Sequence, residues 1–240
     1  MMNDFAKYLT EFFTVHLVKH RNDSINTICS YRDAFKLLFK YCSEKEALSV
    51  EQISLNCLTA DCIKRYLDWL EEERNNSIAT RNLRLAAMHS FFRYVQAEEP
   101  EGIYRFQQVL AISAKKSVSK ALKNMSPEAI QLILSQADTT SLHGRRDLTL
   151  LSTLYDSGAR VQELIDIKVQ DLTLNPSAVV ELMGKGNKAR RVPLMKNTRE
   201  LLLRYLDEQN LKDEWKGSYP LFTNNMMNKL SRKGVAYILS

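Results

Sequence analysis

Long apolar runs are missing from this sequence of 240 residues. No stretch approaches the roughly 20 apolar residues that a membrane-spanning helix requires. The first residues also lack the basic and then apolar order of a secretory signal. Composition is otherwise ordinary for a soluble protein, with 45% hydrophobic and 26% charged residues. We therefore expect a cytoplasmic protein without a membrane partner, long enough for two modest domains.

Cysteine pairs with metal-binding spacing are also missing. All four cysteines fall in the first third of the chain, and no two have the CxxC spacing: Cys29, Cys42, Cys57 and Cys62. A zinc site needs closer pairs with histidine partners. Reduced, half-buried thiols in a cytosolic protein are the favoured interpretation. The sequence therefore predicts neither a metal site nor a cofactor.

Acidic residues are absent from two basic segments. The net charge is +6, yet residues 1–110 carry 14 Lys and Arg against 15 Asp and Glu. The positive excess is concentrated in residues 111–124, with four lysines, and in residues 184–199, with six basic residues. Such a local concentration of positive charge favours binding to a polyanion such as the phosphate backbone of DNA. The alternative is a charged surface that contacts only solvent. The candidate DNA-binding residues are Lys115, Lys116, Lys120, Lys123, Lys188, Arg190 and Arg191.

Apolar residues recur at three-to-four spacing through the first 100 residues, which predicts a bundle of helices. Polar breaks at residues 21–24, 59–61 and 75–77 offer capping side chains between four helices. We therefore predict a helical domain over residues 1–110 and a basic linker over residues 111–124. A short helix is expected near residues 104–110, at the end of this domain.

The remaining residues, 125–240, are predicted to form a second domain. It opens with Ser126-Pro127-Glu128, which combines an N-cap serine, a proline at the first helical position and an acid in the first turn. Another helix is predicted over residues 145–155, where leucines recur, and Gly158 suits the left-handed cap that ends it. A new helix begins at once after this glycine.

After this helix, the spacing of the apolar residues changes from a helical to a strand-like period. Two short strand-like runs flank Gly184-Lys185-Gly186-Asn187-Lys188, which predicts a β-hairpin with a glycine-rich basic tip. A short strand near residues 167–174 would complete a small antiparallel sheet. Thr198 is expected to cap a following helix.

Three sequence motifs in the second domain are the most informative about the class of protein. They are Gly144-Arg145-Arg146-Asp147, then residues 154–164 with the pattern Gly-Ala-Arg-x-x-Glu-Leu, then residues 180–194 with the glycine-rich tip. In this order and spacing they resemble the catalytic domain of tyrosine recombinases of the phage integrase type. Residues 27–31 and 80–94 are similar to parts of that family's core-binding domain. The resemblance covers nearly the whole chain.

The resemblance implies a mainly α fold in two parts. The first is an N-terminal helical core-binding (SAM-like) domain. The second is an incomplete α+β catalytic domain with a small antiparallel sheet. The resemblance also implies a DNA-breaking and DNA-joining enzyme in which a tyrosine hydroxyl attacks a phosphodiester and forms a 3′-phosphotyrosine. Because the family uses no metal, protein cations neutralise the charge that builds up on the phosphate oxygens.

Individual residues match the family's catalytic positions. Arg160 matches the first catalytic arginine, whose planar guanidinium donates two hydrogen bonds to one phosphate. Lys185 matches the hairpin lysine that protonates the departing 5′ oxygen. Glu163 matches a supporting acid one helical turn after the arginine. The plainer alternatives are a surface ion pair for Arg160 and Glu163, and a solvated turn lysine for Lys185, with Lys188 close enough to confuse the assignment.

The family's later elements, a His-x-x-Arg box and the nucleophilic tyrosine, have no match in the 240 residues. His143-Gly144-Arg145-Arg146 has the letters of the box but precedes Arg160, whereas the box follows that arginine. Three tyrosines also stand at the wrong places for the nucleophile: Tyr205, Tyr219 and Tyr237. We therefore expect Ser240 to be a truncation point within a short helix. We also expect no strand cleavage by this chain alone.

These observations give three functional hypotheses. The resemblance implies site-specific DNA recombination or integration by a full-length parent, with double-stranded DNA as partner. It also implies a homo-tetramer on DNA, whose assembly would be impaired in this chain. The alternative from another class is a non-catalytic DNA-binding remnant that lacks the nucleophile. A third hypothesis is a helical interaction domain whose basic hairpin binds another polyanion.

Overall fold

A computed structural model describes residues 4–117, 124–184, 186 and 188–239. The chain divides into two compact units, Met1–Ala121 and Leu122–Ser240. Part of the basic linker that we predict over residues 111–124 lies outside the described residues, so the proposed domain limits stay predictions.

The first unit is helical. It contains α1 (Asp4–Glu11), α2 (Ile25–Lys45), α3 (Ala60–Glu72), α4 (Ile78–Glu98) and α5 (Ile103–Leu110). Side-chain oxygens of Ser24, Thr59 and Ser77 accept the backbone N–H three residues ahead, which fixes the starts of α2, α3 and α4. These starts lie at the polar breaks in the sequence. A π-helix over Phe12–His20 follows α1, and the apolar spacing gave no sign of it.

Aromatic rings fill the core of the first unit. Phe12 and Phe91 are fully buried, with ring centroids 5.5 Å apart and planes at 83°, a favourable edge-to-face arrangement. Phe35 packs on the same pair, with its ring centroid 5.2 Å from that of Phe91. Cys42 and Cys62 are buried beside this core, and all four cysteines are free thiols.

The second unit combines helices with a small sheet. Its helices are α6 (Pro127–Ser135), α7 (Leu142–Ser157), α8 (Val161–Asp166), α9 (Lys196–Glu208) and α10 (Arg232–Ile238). Its strands are β1 (Leu172–Thr173), β2 (Val179–Gly184) and β3 (Lys188–Pro193), antiparallel in the order β1-β2-β3. Its core comes from α7, α8, α9 and one face of the sheet, and includes the fully buried Leu150, Leu164, Val180, Leu182 and Leu202. The predicted architecture, mainly helical with a small antiparallel sheet, is confirmed.

The strand predicted over residues 167–174 is wrong for most of its length. Only Leu172–Thr173 forms β1, and Val169–Asp171 forms a 3-10 turn. The backbone N–H groups of Val169 and Gln170 donate to the carbonyls of Tyr219 and Gly217, at 3.0 and 2.9 Å. These residues therefore pair with a segment far along the chain, which local sequence patterns do not reveal.

The predicted cap of α9 is also wrong. Thr198 lies inside the first turn of the helix and is only 5% exposed, whereas the helix begins at Lys196 after Met195. The Oδ2 atom of Asp156 accepts the Met195 N–H at 2.6 Å. Asp156 belongs to α7, so the start of α9 is fixed by a residue distant in sequence.

Helix α7 begins earlier than we predicted and ends where we predicted. Its N-cap is Ser141, whose Oγ accepts the Gly144 N–H at 3.0 Å. At the other end, Gly158 has φ 58° and ψ 27°, the left-handed conformation expected of it. This turn leads directly into Arg160 and α8.

Neither a metal cluster nor a membrane span is found among the described residues. No group of three or more His, Cys, Asp or Glu side chains in this part of the chain could hold a metal ion. Within the same residues, none of the helices is both long enough and apolar enough to cross a membrane.

Candidate functional site

A buried carboxylate joins α8 to β3. The side chain of Glu163, in the first turn of α8, is only 5% exposed. Its Oε2 accepts the backbone N–H of Arg160 at 2.9 Å and Nη2 of Arg190 at 2.7 Å. Its Oε1 accepts Nη1 of Arg160 at 2.8 Å. One carboxylate therefore binds two guanidinium groups and one backbone N–H.

Arg160 is the residue that caps the start of α8. Its backbone is extended, with φ −67° and ψ 150°, and the helix begins at the next residue, Val161. Glu163 reaches back to the Arg160 N–H, which is the acidic half of a capping box. The Arg160 side chain is nevertheless 74% exposed. Its guanidinium is thus held at one edge while most of the group faces solvent.

The ion pairs keep Glu163 charged. The hydrogen bond from Arg190 is the main cause that lowers the pKa of Glu163 to about 2; burial opposes it, and the two hydrogen bonds from Arg160 act with it. The same hydrogen bond raises the pKa of Arg190. The carboxylate is therefore ionised at neutral pH, and its single negative charge faces two positive charges.

Stability of the second unit should depend on this carboxylate at low pH. The folded-state pKa of Glu163 is about 2, below the value of about 4.3 for an unfolded glutamate. The stabilisation is therefore complete above about pH 4.3 and is lost as the pH falls through about 2. Urea unfolding at a series of pH values checks this, with Glu163→Gln as the control that lacks this part of the pH dependence. Parallel pH curves for the two proteins would contradict the assignment.

The predicted catalytic lysine, Lys185, lies outside the described residues. Its surroundings are described: Gly184 ends β2 and pairs with Lys188, the first residue of β3. A Cβ added to Gly184 would lie 3.5 Å from Oε1 of Glu163 and 3.4 Å from Nη1 of Arg190. The residue that precedes Lys185 therefore lies beside the Glu163–Arg190 ion pair. The role of Lys185 stays a prediction.

The two arginines of β3 lie on opposite faces of the hairpin. Arg191 pairs across the sheet with Glu181, Nε to Oε2 at 3.0 Å, and is 80% exposed. Arg190 pairs in register with Leu182, a residue of the buried face. Both arginines are predicted DNA-binding residues, and this stays a prediction for each. Strand alternation is the sequence signal that places their side chains on opposite faces.

The described lysines among the DNA-binding candidates have different surroundings. Lys115 is tied to the first unit: its Nζ lies 2.6 Å from Oε1 of Glu71, and its backbone exchanges two hydrogen bonds with the Asn82 side chain. Lys116 and Lys188 are exposed. Two further candidates lie outside the described residues: Lys120 and Lys123. The DNA contacts of all these residues stay predictions.

One tyrosine of the second unit, Tyr205, belongs to its hydrophobic core. The Tyr205 hydroxyl is buried and donates to the carbonyl of Leu221 at 3.0 Å. Burial raises the pKa of Tyr205 to about 12. The Tyr219 ring packs edge-on against Trp215, with centroids 5.7 Å apart, and Tyr237 is 83% exposed on α10.

The His143–Arg146 string contains a structural anchor that the sequence did not reveal. Arg146 is 14% exposed, pairs with Asp147 at 2.7 Å and donates Nη1 to the Thr223 carbonyl at 3.1 Å. His143 is exposed one turn earlier. Arg146 thus ties α7 to the loop before α10.

Comparison with known proteins gives the family. The profile of the Phage integrase family matches residues 123–240, and that of the Phage integrase, N-terminal SAM-like domain matches residues 10–99. A putative integrase/recombinase, y4rC of Sinorhizobium fredii, is 33% identical over 235 residues, which are 98% of this chain and 70% of that protein. The tyrosine recombinase XerD of Listeria monocytogenes is 27% identical over 241 residues, covering 99% of this chain and 76% of that one.

Solved structures show the same fold. XerH site-specific recombinase bound to a palindromic difH substrate superposes with a TM-score of 0.68 at 23% identity, over 91% of this chain and 64% of that one. A lambda integrase tetramer bound to a Holliday junction gives 0.70 at 17% identity, over 98% and 64%. The chain therefore spans 64% of the length of each of these two recombinases.

The two matched domains agree with the observed architecture, a helical unit followed by a unit with a small antiparallel sheet. The chain belongs to the phage integrase family, the tyrosine recombinases, a family of site-specific DNA recombinases. The predicted family is confirmed. So is the predicted fold class, with its SAM-like first domain.

Proposed function

We propose that Arg160 binds a phosphate of double-stranded DNA during site-specific recombination through a 3′-phosphotyrosine. The observation that carries this proposal is the contrast between Arg160, 74% exposed, and the Glu163 carboxylate that orients it, 5% exposed. An exposed, oriented guanidinium can donate two parallel hydrogen bonds to phosphate oxygens. It would stabilise the charge that develops there without a metal ion or cofactor.

The other residues have supporting roles in this proposal. Lys185 would protonate the leaving 5′ oxygen, and Glu163 would orient Arg160 until the phosphate binds, without reacting itself. Residues 1–110 and 125–240 would form the core-binding and catalytic domains, joined by the basic linker 111–124. The phosphate backbone would be contacted by Lys115, Lys116, Lys120, Lys123, Lys188 and Arg191. A DNA substrate supports a cytoplasmic location, as we expected from the sequence.

We further propose that a polypeptide of these 240 residues binds DNA without cleaving it. In the family pattern the nucleophile follows a His-x-x-Arg box, and no tyrosine here occupies that place. Tyr205 is a buried donor to the Leu221 carbonyl, which makes it unsuitable for attack. Assembly into a tetramer, the form in which lambda integrase is seen on a Holliday junction, would be impaired, because in the family partner protomers commonly dock through the segment beyond the box.

The first test is duplex binding at increasing salt. Because phosphate contacts release counterions, affinity for a mixed-sequence duplex should fall at least about tenfold between about 50 and 200 mM salt. Fluorescence anisotropy with a labelled duplex measures this. A denaturing gel of the same mixtures should show no covalent protein–DNA adduct. Salt-independent binding would contradict DNA-backbone recognition, and an adduct would contradict the inactivity of the chain.

A further inference from the structure

Arg190 occupies a strand position that normally carries an apolar side chain. Its neighbour across the sheet, Leu182, is fully buried, and the next pair on that face is Val180 with Val192. The Arg190 side chain is 39% exposed, so its guanidinium is partly withdrawn from water, and a charged partner stabilises it there. Glu163 is that partner, with Arg190 Nη2 2.7 Å from Oε2.

We propose that Arg190 is a positioning residue, the permanent counter-ion of Glu163, which leaves the Arg160 guanidinium free to transfer to a DNA phosphate. This inference rests on the proposed role of Arg160 in phosphate binding. It assigns Arg190 a contact with Glu163 in place of the direct phosphate contact that its charge suggests.

The division of the carboxylate oxygens supports this role. Oε2 binds Arg190 and the Arg160 backbone N–H, neither of which has to move when a phosphate arrives. Oε1 binds the Arg160 side chain through Nη1. When that side chain turns to a phosphate, Glu163 still holds one cation and one backbone donor.

Without Arg190, Glu163 would lose one of the two guanidinium groups that contact it. Arg160 would be the only guanidinium on a carboxylate that is 5% exposed. Its departure would leave a nearly buried negative charge without a cation among the described residues, and such a charge is costly. Glu163 would therefore compete with the phosphate for Arg160.

Exposure and position agree with this division of roles. Arg160 is 74% exposed and Arg190 39% exposed, so the two cations on one carboxylate differ in their access to a ligand. Arg190 also lies beside Gly184, the last residue of β2. The same ion pair thus joins the turn end of the basic hairpin to the cap of α8.

The experiment is a double-mutant cycle read out at Arg160 itself. The Nε–Hε resonance of Arg160 is followed by NMR in the full 240-residue chain during titration with inorganic phosphate. Arg190→Gln should weaken the phosphate affinity at Arg160 about fivefold or more. In the Glu163→Gln background, where no negative charge competes, the same substitution should change the affinity less than about twofold. Arg190→Lys, which keeps a cation beside Glu163, should restore most of the loss.

Arg191→Gln is the matched control, because it removes one charge from the same strand without contact to Glu163. Its effect on phosphate affinity should be the same in the unmodified chain and in the Glu163→Gln background. The pKa of Glu163, measured from its side-chain carboxyl resonance, should rise in Arg190→Gln and stay unchanged in Arg191→Gln. Amide spectra confirm that each variant is folded.

The outcomes separate the inference from the function on which it rests. If Arg160 of the unmodified chain does not respond to phosphate, the proposed phosphate site fails. If Arg160 responds but Arg190→Gln weakens binding equally in both backgrounds, Arg190 is a direct phosphate contact and the inference is overturned. It is also overturned if Arg190→Gln has no effect.

Discussion

Replacing Glu163 by alanine should destabilise the second unit by about 2–4 kcal/mol, because it leaves two guanidinium groups and a helix N–H without their shared acceptor. The carboxylate is 5% exposed and accepts three hydrogen bonds, from Arg160 twice and from Arg190 once. Urea unfolding of the chain at neutral pH measures the change in the free energy of unfolding.

Glu181→Ala provides the matched control for this substitution. Glu181 also pairs with an arginine of β3, Arg191 at 3.0 Å, but it lies on the outer face and is 39% exposed. Its loss should cost less than about 1 kcal/mol, as for other exposed ion pairs. Equal losses for the two substitutions would contradict a special role for the buried carboxylate.

Replacing Gly144 by alanine should have an effect of similar size through sterics alone. A Cβ at this position would clash with the backbone carbonyl group of Asp138, lying only 2.6 Å from its carbon. Backbone cannot rotate away as a side chain can, so the loop before α7 or the helix itself must shift. We expect a loss of about 3 kcal/mol or more in the free energy of unfolding.

Gly158→Ala is the control, because it replaces a glycine of the same helix region without a steric clash. Among the described residues no atom lies within 4 Å of a Cβ added at Gly158, and the strain comes only from its φ of 58°. A non-glycine residue in this conformation costs about 1 kcal/mol. Thermal unfolding of both variants should therefore place Gly144→Ala well below Gly158→Ala. The opposite order would show that the start of α7 is not closely packed.

The starts of α2, α3, α4 and α6 could be predicted because their causes are local. Ser24, Thr59, Ser77 and Ser126 each accept a backbone N–H three residues ahead, a distance that the sequence displays directly. The start of α9 could not be predicted in this way. It depends on Asp156, which is 39 residues before the N–H that it accepts.

The candidate site shows the same limit. Arg160 and Glu163 are three residues apart, so their pairing follows from the helix period. Arg190 and Glu163 are 27 residues apart, and their contact depends on how the hairpin packs against α8. Strand alternation predicts only that Arg190 and Arg191 face opposite ways. The carboxylate that Arg190 meets is a property of the folded unit.

Arg160, in the function that we propose, binds one particular phosphate of bound DNA. The direct test is phosphate-ethylation interference on a duplex selected by the unmodified chain from a random library, compared with Arg160→Ala on the same duplex. We predict that interference disappears at one phosphate position and persists at the positions contacted by the first unit. A uniform loss of interference at every position would contradict the claim.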